Sequence, residues 1–133
     1  MGSEMCIRDS ARSVLPKEIN FKDAVYNIQK SAQLITAITN GNENIMRSAL
    51  KDRIHQPYRE KLIPGMVDII EKLREEQNVL GCVLSGAGPT LAVITKGDNI
   101  DNVKQIVHKI WYDLDIKYQI MTFDPINQGA TVI

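Results

Sequence analysis

Hydrophobic positions change their period three times along this chain after its first helix. Val25, Ile28, Ala32 and Ile35 recur at three- and four-residue intervals, so one face of a helix is predicted from Asn20, a plausible N-cap, through Thr39. Asn40-Gly41 ends it, because glycine adopts the left-handed conformation that closes helices. Asn42 can cap a second helix carrying Ile45, Met46, Ala49 and Leu50. The stretch from Asp52 to Arg59 is polar and broken by Pro57, and reads as a loop. After Ile63-Pro64-Gly65 a third helix places Met66, Ile69, Ile70 and Leu73 on one face.

The period then drops to that of extended chain. Val79 to Leu84 and Thr90 to Thr95 read as two strands of a hairpin around Ser85-Gly86-Ala87-Gly88-Pro89. Val103, Ile106, Val107, Ile110 and Leu114 restore the helical period. Tyr118 to Phe123 alternates as a strand, closed by Asp124-Pro125, and Gly129 to Ile133 is expected as a last edge strand. Near the start, Ala11 to Leu15 reads as the tail of a strand or a linker, stopped by Pro16.

Strand stub, helices, strand, strand, helix, strand is the β-α-β-β-α-β plan. The expected fold is therefore α+β: a ferredoxin-like two-layer sandwich, an antiparallel sheet with helices on one face and extra helices in the first crossover. Met1 to Ser10 fits neither period and lacks the apolar run of a signal peptide. It reads as a non-native leader, leaving 11–133 as one domain that begins abruptly, as a fragment of something longer would.

Composition removes several functions. The 133 residues carry 16 basic and 16 acidic side chains, and without the leader 15 and 14 remain. That balance implies no nucleic-acid partner. No apolar run approaches a membrane span, so a soluble, cytoplasmic domain is expected. Of two cysteines only Cys82 lies outside the leader, which excludes a disulfide framework, and with two isolated histidines it makes no metal site.

Three segments could carry chemistry. The loop Ser85-Gly86-Ala87-Gly88-Pro89-Thr90 can expose backbone N–H groups as an anion-binding concavity, with Ser85 and Thr90 adding hydroxyls. No helix follows it, so it lacks the dipole of a Walker or Rossmann turn, and on residue chemistry alone a plain hairpin turn is the better reading. Within His55-Gln56-Pro57-Tyr58-Arg59, the arginine could grip a carboxylate or phosphate and the histidine could titrate beside it, although solvated connectors usually look the same. Arg12 is a third candidate of the same kind. His108 reads as a surface or boundary residue, and Trp111 and Tyr112 as packing residues.

Taken together these pieces resemble one family. Ala11-Arg12-Ser13-Val14-Leu15-Pro16, then Asp52 to Arg59 with Leu62-Ile63-Pro64-Gly65, then Leu84 to Thr90, look like the C-terminal half of homoserine kinase. That family sits within the group of galactokinase, homoserine kinase, mevalonate kinase and phosphomevalonate kinase. The glycine loop resembles a motif of the whole group, while the histidine- and arginine-bearing segments narrow the likeness to homoserine kinase.

The resemblance implies ATP-dependent phosphorylation of the L-homoserine side-chain hydroxyl, on the way to threonine. It implies substrate binding by Arg12 and Arg59, with His55 on the substrate side. Ser85, Gly86, Ala87, Gly88 and Thr90 would face the nucleotide phosphates. ATP and Mg²⁺ belong to the complete enzyme and none is expected on this piece. The family's Gly-Leu-Gly-Ser-Ser nucleotide loop is absent from the sequence, and most groups around the reacting hydroxyl come from the same missing half. No catalytic residue is therefore expected here, and the chain alone should be inactive. Its partners would be L-homoserine, the N-terminal kinase domain and, through the face that domain leaves exposed, further copies in a homo-oligomer. A stand-alone amino-acid-binding or dimerisation module, or a fragment of another kinase of the group, are the alternatives.

Overall fold

The computed structural model describes residues 4–97 and 99–129. Six helices and one hairpin follow in the order α1 (Glu4–Ser13), α2 (Phe21–Asn40), α3 (Glu43–Ala49), α4 (Gln56–Arg59), α5 (Met66–Glu75), β1 (Val79–Leu84), β2 (Leu91–Thr95) and α6 (Ile100–Asp113), with a 3₁₀ turn at Glu60–Leu62 after α4. No helix among the described residues is long and apolar enough to cross a membrane.

The local signals act as expected at the helix ends. Asn20 Oδ1 accepts from Lys22 N at 2.8 Å and starts α2, and Gly41 at φ +62° closes it. Asn42 Oδ1 accepts from Ile45 N at 3.0 Å and starts α3. Each side chain satisfies an amide that the helix itself leaves without a partner.

The core forms where the helical and extended periods meet. Ile69 and Leu73 of α5, Val79 and Cys82 of β1, and Val103 and Val107 of α6 are all buried in one cluster. A smaller cluster of Ile63, Met66 and Leu84 lies at the glycine-loop end of the hairpin. β1 and β2 are antiparallel, with Leu84 opposite Leu91 and Val79 opposite Thr95, and a register irregularity between Val79 and Gly81. Gly81 gives α3 its close approach: a Cβ there would lie 2.2 Å from Leu50 Cδ1.

The α+β class stands, but several expected elements do not form. Ala11 to Leu15 is no strand: α1 runs through Ala11 and ends at Ser13, where the Ser13 hydroxyl donates to the Ser10 carbonyl at 2.9 Å. A strand needs a lateral partner, whereas a helix satisfies its amides internally. Tyr118 to Phe123 has no ladder either, and only the hairpin forms a sheet among the described residues. Tyr118 instead packs on Trp111, ring centroids 5.1 Å apart. Gly129 is irregular, and the rest of the expected last strand lies outside the described residues. The expected loop at Gln56–Arg59 is helical. Pro57 sits in the first turn, where a missing N–H costs nothing.

The orientation of α2 also departs from expectation. Ile28 and Ile35 are 71% and 68% exposed, whereas Ala37 is fully buried on the opposite side. Side chains of mixed polarity, not the apolar stripe, face the rest of the chain.

Candidate functional site

The short helix α4 is fastened at its start by one carboxylate. Asp52 accepts from the backbone N–H of His55 at 2.8 Å, from that of Gln56, and from that of Ile54 at 3.3 Å, while the Asn27 side-chain amide also donates to it. Burial would raise the Asp52 carboxyl, but the amides of Gln56, Ile54 and His55 and the Asn27 side chain more than offset it and hold it below the usual range. Asn27 Oδ1 accepts from Arg53 N at 3.0 Å, which ties α2 to the same turn.

Gln56 then links α4 to the sheet. Its Oε1 accepts from Leu84 N at 2.7 Å, at the last residue of β1 before the glycine loop. Arg59, at the end of α4, is therefore held at a set distance from that loop.

Three separate segments meet at Arg59. The side chain is buried, with the residue only 6% exposed. Its Nε donates to the Ala11 carbonyl at 2.9 Å, and its Nη1 donates to the Gly86 carbonyl at 2.8 Å and to His55 Nε2. No carboxylate pairs with this guanidinium among the described residues. A buried cation held by neutral acceptors alone keeps most of its desolvation penalty, so the local field is positive and suited to an anion.

His55 fits that field. Its Nε2 accepts from Arg59, which only the neutral ring can do, leaving the proton on Nδ1. Burial, then the Arg59 charge, push the His55 pKa down, with Asp52 pulling the other way.

The glycine loop uses part of its backbone to hold its own shape. Ser85 N donates to Thr90 O at 2.9 Å and Gly88 N donates to Ser85 O at 3.0 Å. The amides of Gly86 and Ala87 donate to no group among the described residues, and the Ser85 and Thr90 residues are exposed beside them. Gly86 and Gly88 have φ of +58° and +82°. At Gly88 the space is also filled: a Cβ would lie 2.9 Å from Leu84 Cδ1 and 3.0 Å from Ile63 Cδ1.

Arg12 does not join this cluster. Its guanidinium pairs with Asp9 at 3.9 Å, and its side chain is 73% exposed. What reaches Arg59 from that segment is the carbonyl of the adjacent Ala11. The other residues set aside earlier behave mostly as expected. His108 is exposed and bonded to the Tyr118 hydroxyl, and Trp111 Nε1 donates to Pro64 O at 3.1 Å. Tyr112 is no packing residue, being 72% exposed.

Two residues that organise the site, Asp52 and Gln56, were not singled out from sequence. Asp52 had a readable signal, an acidic side chain three residues before His55 at the foot of a short helix. The Gln56 contact depends on where β1 ends and had none. Of two surface hollows, one of about 410 Å³ lies between α2 and α3, away from the site, and one of about 360 Å³ is lined by Asp52 and Gln56 but not by Arg59, His55 or the glycine loop.

Comparison with known proteins supplies the relationship. A homoserine kinase of Crocosphaera subtropica is 36% identical over 124 residues, which are 93% of this chain and 40% of that protein. A homoserine kinase of Caldicellulosiruptor saccharolyticus is 42% identical over 124 residues, 92% of this chain and 40% of its own. Among solved structures, a homoserine kinase from Cytophaga hutchinsonii superposes with a TM-score of 0.75 at 27% identity, covering 82% of this chain and 35% of that one. The chain thus spans about 40% of the length of the curated relatives it matches. Residues 32–113, which contain α4, the hairpin and the glycine loop, match the family described as GHMP kinases C terminal. With most of its length matched by that family, and with Arg59 and the glycine loop joined inside the matched region, the chain belongs to the GHMP kinase C-terminal domain family.

Proposed function

We propose that this chain is the C-terminal part of a homoserine kinase and that it holds the carboxylate end of L-homoserine while the side-chain hydroxyl is phosphorylated from ATP. One observation carries this reading: Arg59 is buried, unpaired by any carboxylate among the described residues, and bonded to both His55 and the glycine loop. Filling that place with a substrate carboxylate would neutralise the buried charge. It would also fix the hydroxyl relative to the loop, which is how binding energy becomes positioning. The names of the relatives support homoserine as the amino acid.

The division of labour follows from what the residues offer. The free Gly86 and Ala87 amides, with the Ser85 and Thr90 hydroxyls, suit the edge of a phosphate group. We assign ATP and Mg²⁺ to a site completed by an N-terminal kinase domain, where the metal would neutralise phosphate charge. Arg12, exposed and paired with Asp9, would have to turn toward the substrate to share the grip.

The test has two arms. This chain, incubated with ATP, Mg²⁺ and L-homoserine, is expected to form no phosphohomoserine, and clear turnover would overturn the division of labour. Fused behind the N-terminal part of a relative, it is expected to support turnover, with Arg59→Lys raising KM for homoserine about 10- to 100-fold, since a lysine cannot reproduce the planar fork. An unchanged KM would overturn the assignment of Arg59.

A further inference from the structure

Both ends of α4 are bonded to the same short piece of chain. Gln56 Oε1 accepts from Leu84 N at 2.7 Å, and Arg59 Nη1 donates to Gly86 O at 2.8 Å. The contacts lie three residues apart on α4 and two apart where β1 runs into the glycine loop. A single bond is a pivot, whereas two at different points fix direction as well as distance. The Leu84 amide is available because it points to the open side of β1. Ser85 N, one residue on, takes the bond across the hairpin to Thr90 O at 2.9 Å, and successive amides of a strand point to opposite sides. Arg59 Nη2 donates to no group among the described residues, and is the part of the guanidinium left for a substrate carboxylate.

We infer that Gln56 is a positioning residue for the phosphoryl transfer: its bond to Leu84 keeps the glycine loop in register with Arg59 while substrate is held. The inference rests on the assignment of Arg59 to the substrate carboxylate. The two bonds respond differently to that carboxylate. Arg59 shares its Nη1 protons between Gly86 O and His55, and an anion at Nη2 draws the guanidinium toward itself. Gln56 is neutral and meets Leu84 through its amide oxygen, so its bond does not change with the charge state of the site. Arg59 sets the reacting hydroxyl from one side, and the loop sets the phosphate from the other. Without Gln56 the grip on the carboxylate survives, since Asp52 still fastens the start of α4. The separation of grip and loop is then free to drift, and a misplacement of about 1 Å costs about 100-fold in rate.

Two variants of the fused enzyme separate positioning from folding. Gln56→Met keeps the length of the side chain and removes the acceptor. Gln56→Ala enlarges the hollow that Gln56 lines, so water reaches Leu84 N and satisfies it without fixing its distance from α4. In either, kcat is expected to fall about 10- to 100-fold while KM for homoserine stays within about 3-fold, with circular dichroism showing a folded protein. A residue that only held the fold together would lower the unfolding midpoint and leave kcat of the folded enzyme alone. On the 133-residue chain, amide exchange at Leu84 followed by NMR is expected to quicken about 10-fold or more in Gln56→Ala, with the core residues Ile69 and Leu73 unchanged. Unchanged kcat in a folded Gln56→Ala enzyme overturns the inference, and so does unchanged exchange at Leu84. A rise in KM with kcat unchanged also overturns it, by placing Gln56 in the grip and not in the alignment. Arg59→Lys, run beside them, reports on the substrate assignment separately: an unchanged KM there overturns that reading and leaves the kcat of the Gln56 variants to decide this one.

Discussion

Replacing Asp52 by Asn tests whether one carboxylate sets the position of Arg59. The substitution changes little in size but halves the accepting capacity. Asp52 Oδ2 accepts from the His55 and Gln56 amides, and Oδ1 from Ile54 N and the Asn27 side chain. An asparagine has one carbonyl oxygen and one NH₂ group, so in either orientation two donors face a donor. Bonds to a charged acceptor contribute about 1.5–3 kcal/mol each, and loss of a helix cap about 1–2 kcal/mol. These overlap, and the turn is partly open to water, so a loss of about 2–3 kcal/mol at pH 7 is expected.

Urea unfolding followed by circular dichroism measures it, with the slope unchanged and the midpoint lowered. The pH dependence supplies a second check. Because the folded-state carboxyl lies below its ordinary value, its stabilisation is complete above about pH 4, the unfolded-state value, and is lost as pH falls through the folded one. The gap between wild type and Asp52→Asn should therefore close in acid. A midpoint shift worth less than about 0.5 kcal/mol at pH 7, or a gap independent of pH, would refute the reasoning.

Three other outcomes follow from the same geometry. His55 has a lowered pKa, so its contribution is complete above about pH 6.5 and declines as pH falls below it; His55→Gln is expected to flatten the stability profile between pH 7 and 5, measured by thermal unfolding at each pH. The two loop glycines should separate: Gly86→Asn is expected to cost under about 1 kcal/mol, since nothing lies within 4 Å, whereas Gly88→Ala should cost about 2–3 kcal/mol from crowding by Leu84 and Ile63 added to its positive φ. Gly81→Ala is expected to destabilise by about 1–3 kcal/mol against Leu50, and combining it with Leu50→Ala should recover part of that loss in a double-mutant cycle of urea midpoints.

Much of this molecule was legible along the chain because the deciding forces are local. Asn20 and Asn42 each bond an amide two or three residues away, and Gly41 needs only its own backbone freedom. The faces of α5 and α6 and the hairpin between Val79 and Thr95 follow from side-chain period, which a neighbouring layer reinforces. The glycine loop and the Arg59 segment could be picked out as chemistry-bearing for the same reason, since residue type and spacing carry that signal.

Tertiary structure decided what depends on a partner distant in sequence. Whether Ala11 to Leu15 or Tyr118 to Phe123 becomes a strand depends on a second edge, and no such edge pairs with either among the described residues. The apolar stripe of α2 is legible as a stripe, but its period does not say that Ile28 and Ile35 point away from the rest of the described chain. The convergence of Ala11, His55 and Gly86 on Arg59 brings to it positions up to 48 residues away along the chain. Neither propensity nor period encodes such a meeting: the Asp52-capped turn and the Gln56–Leu84 bond hold Arg59 beside the glycine loop, and Ala11 reaches it from a third segment.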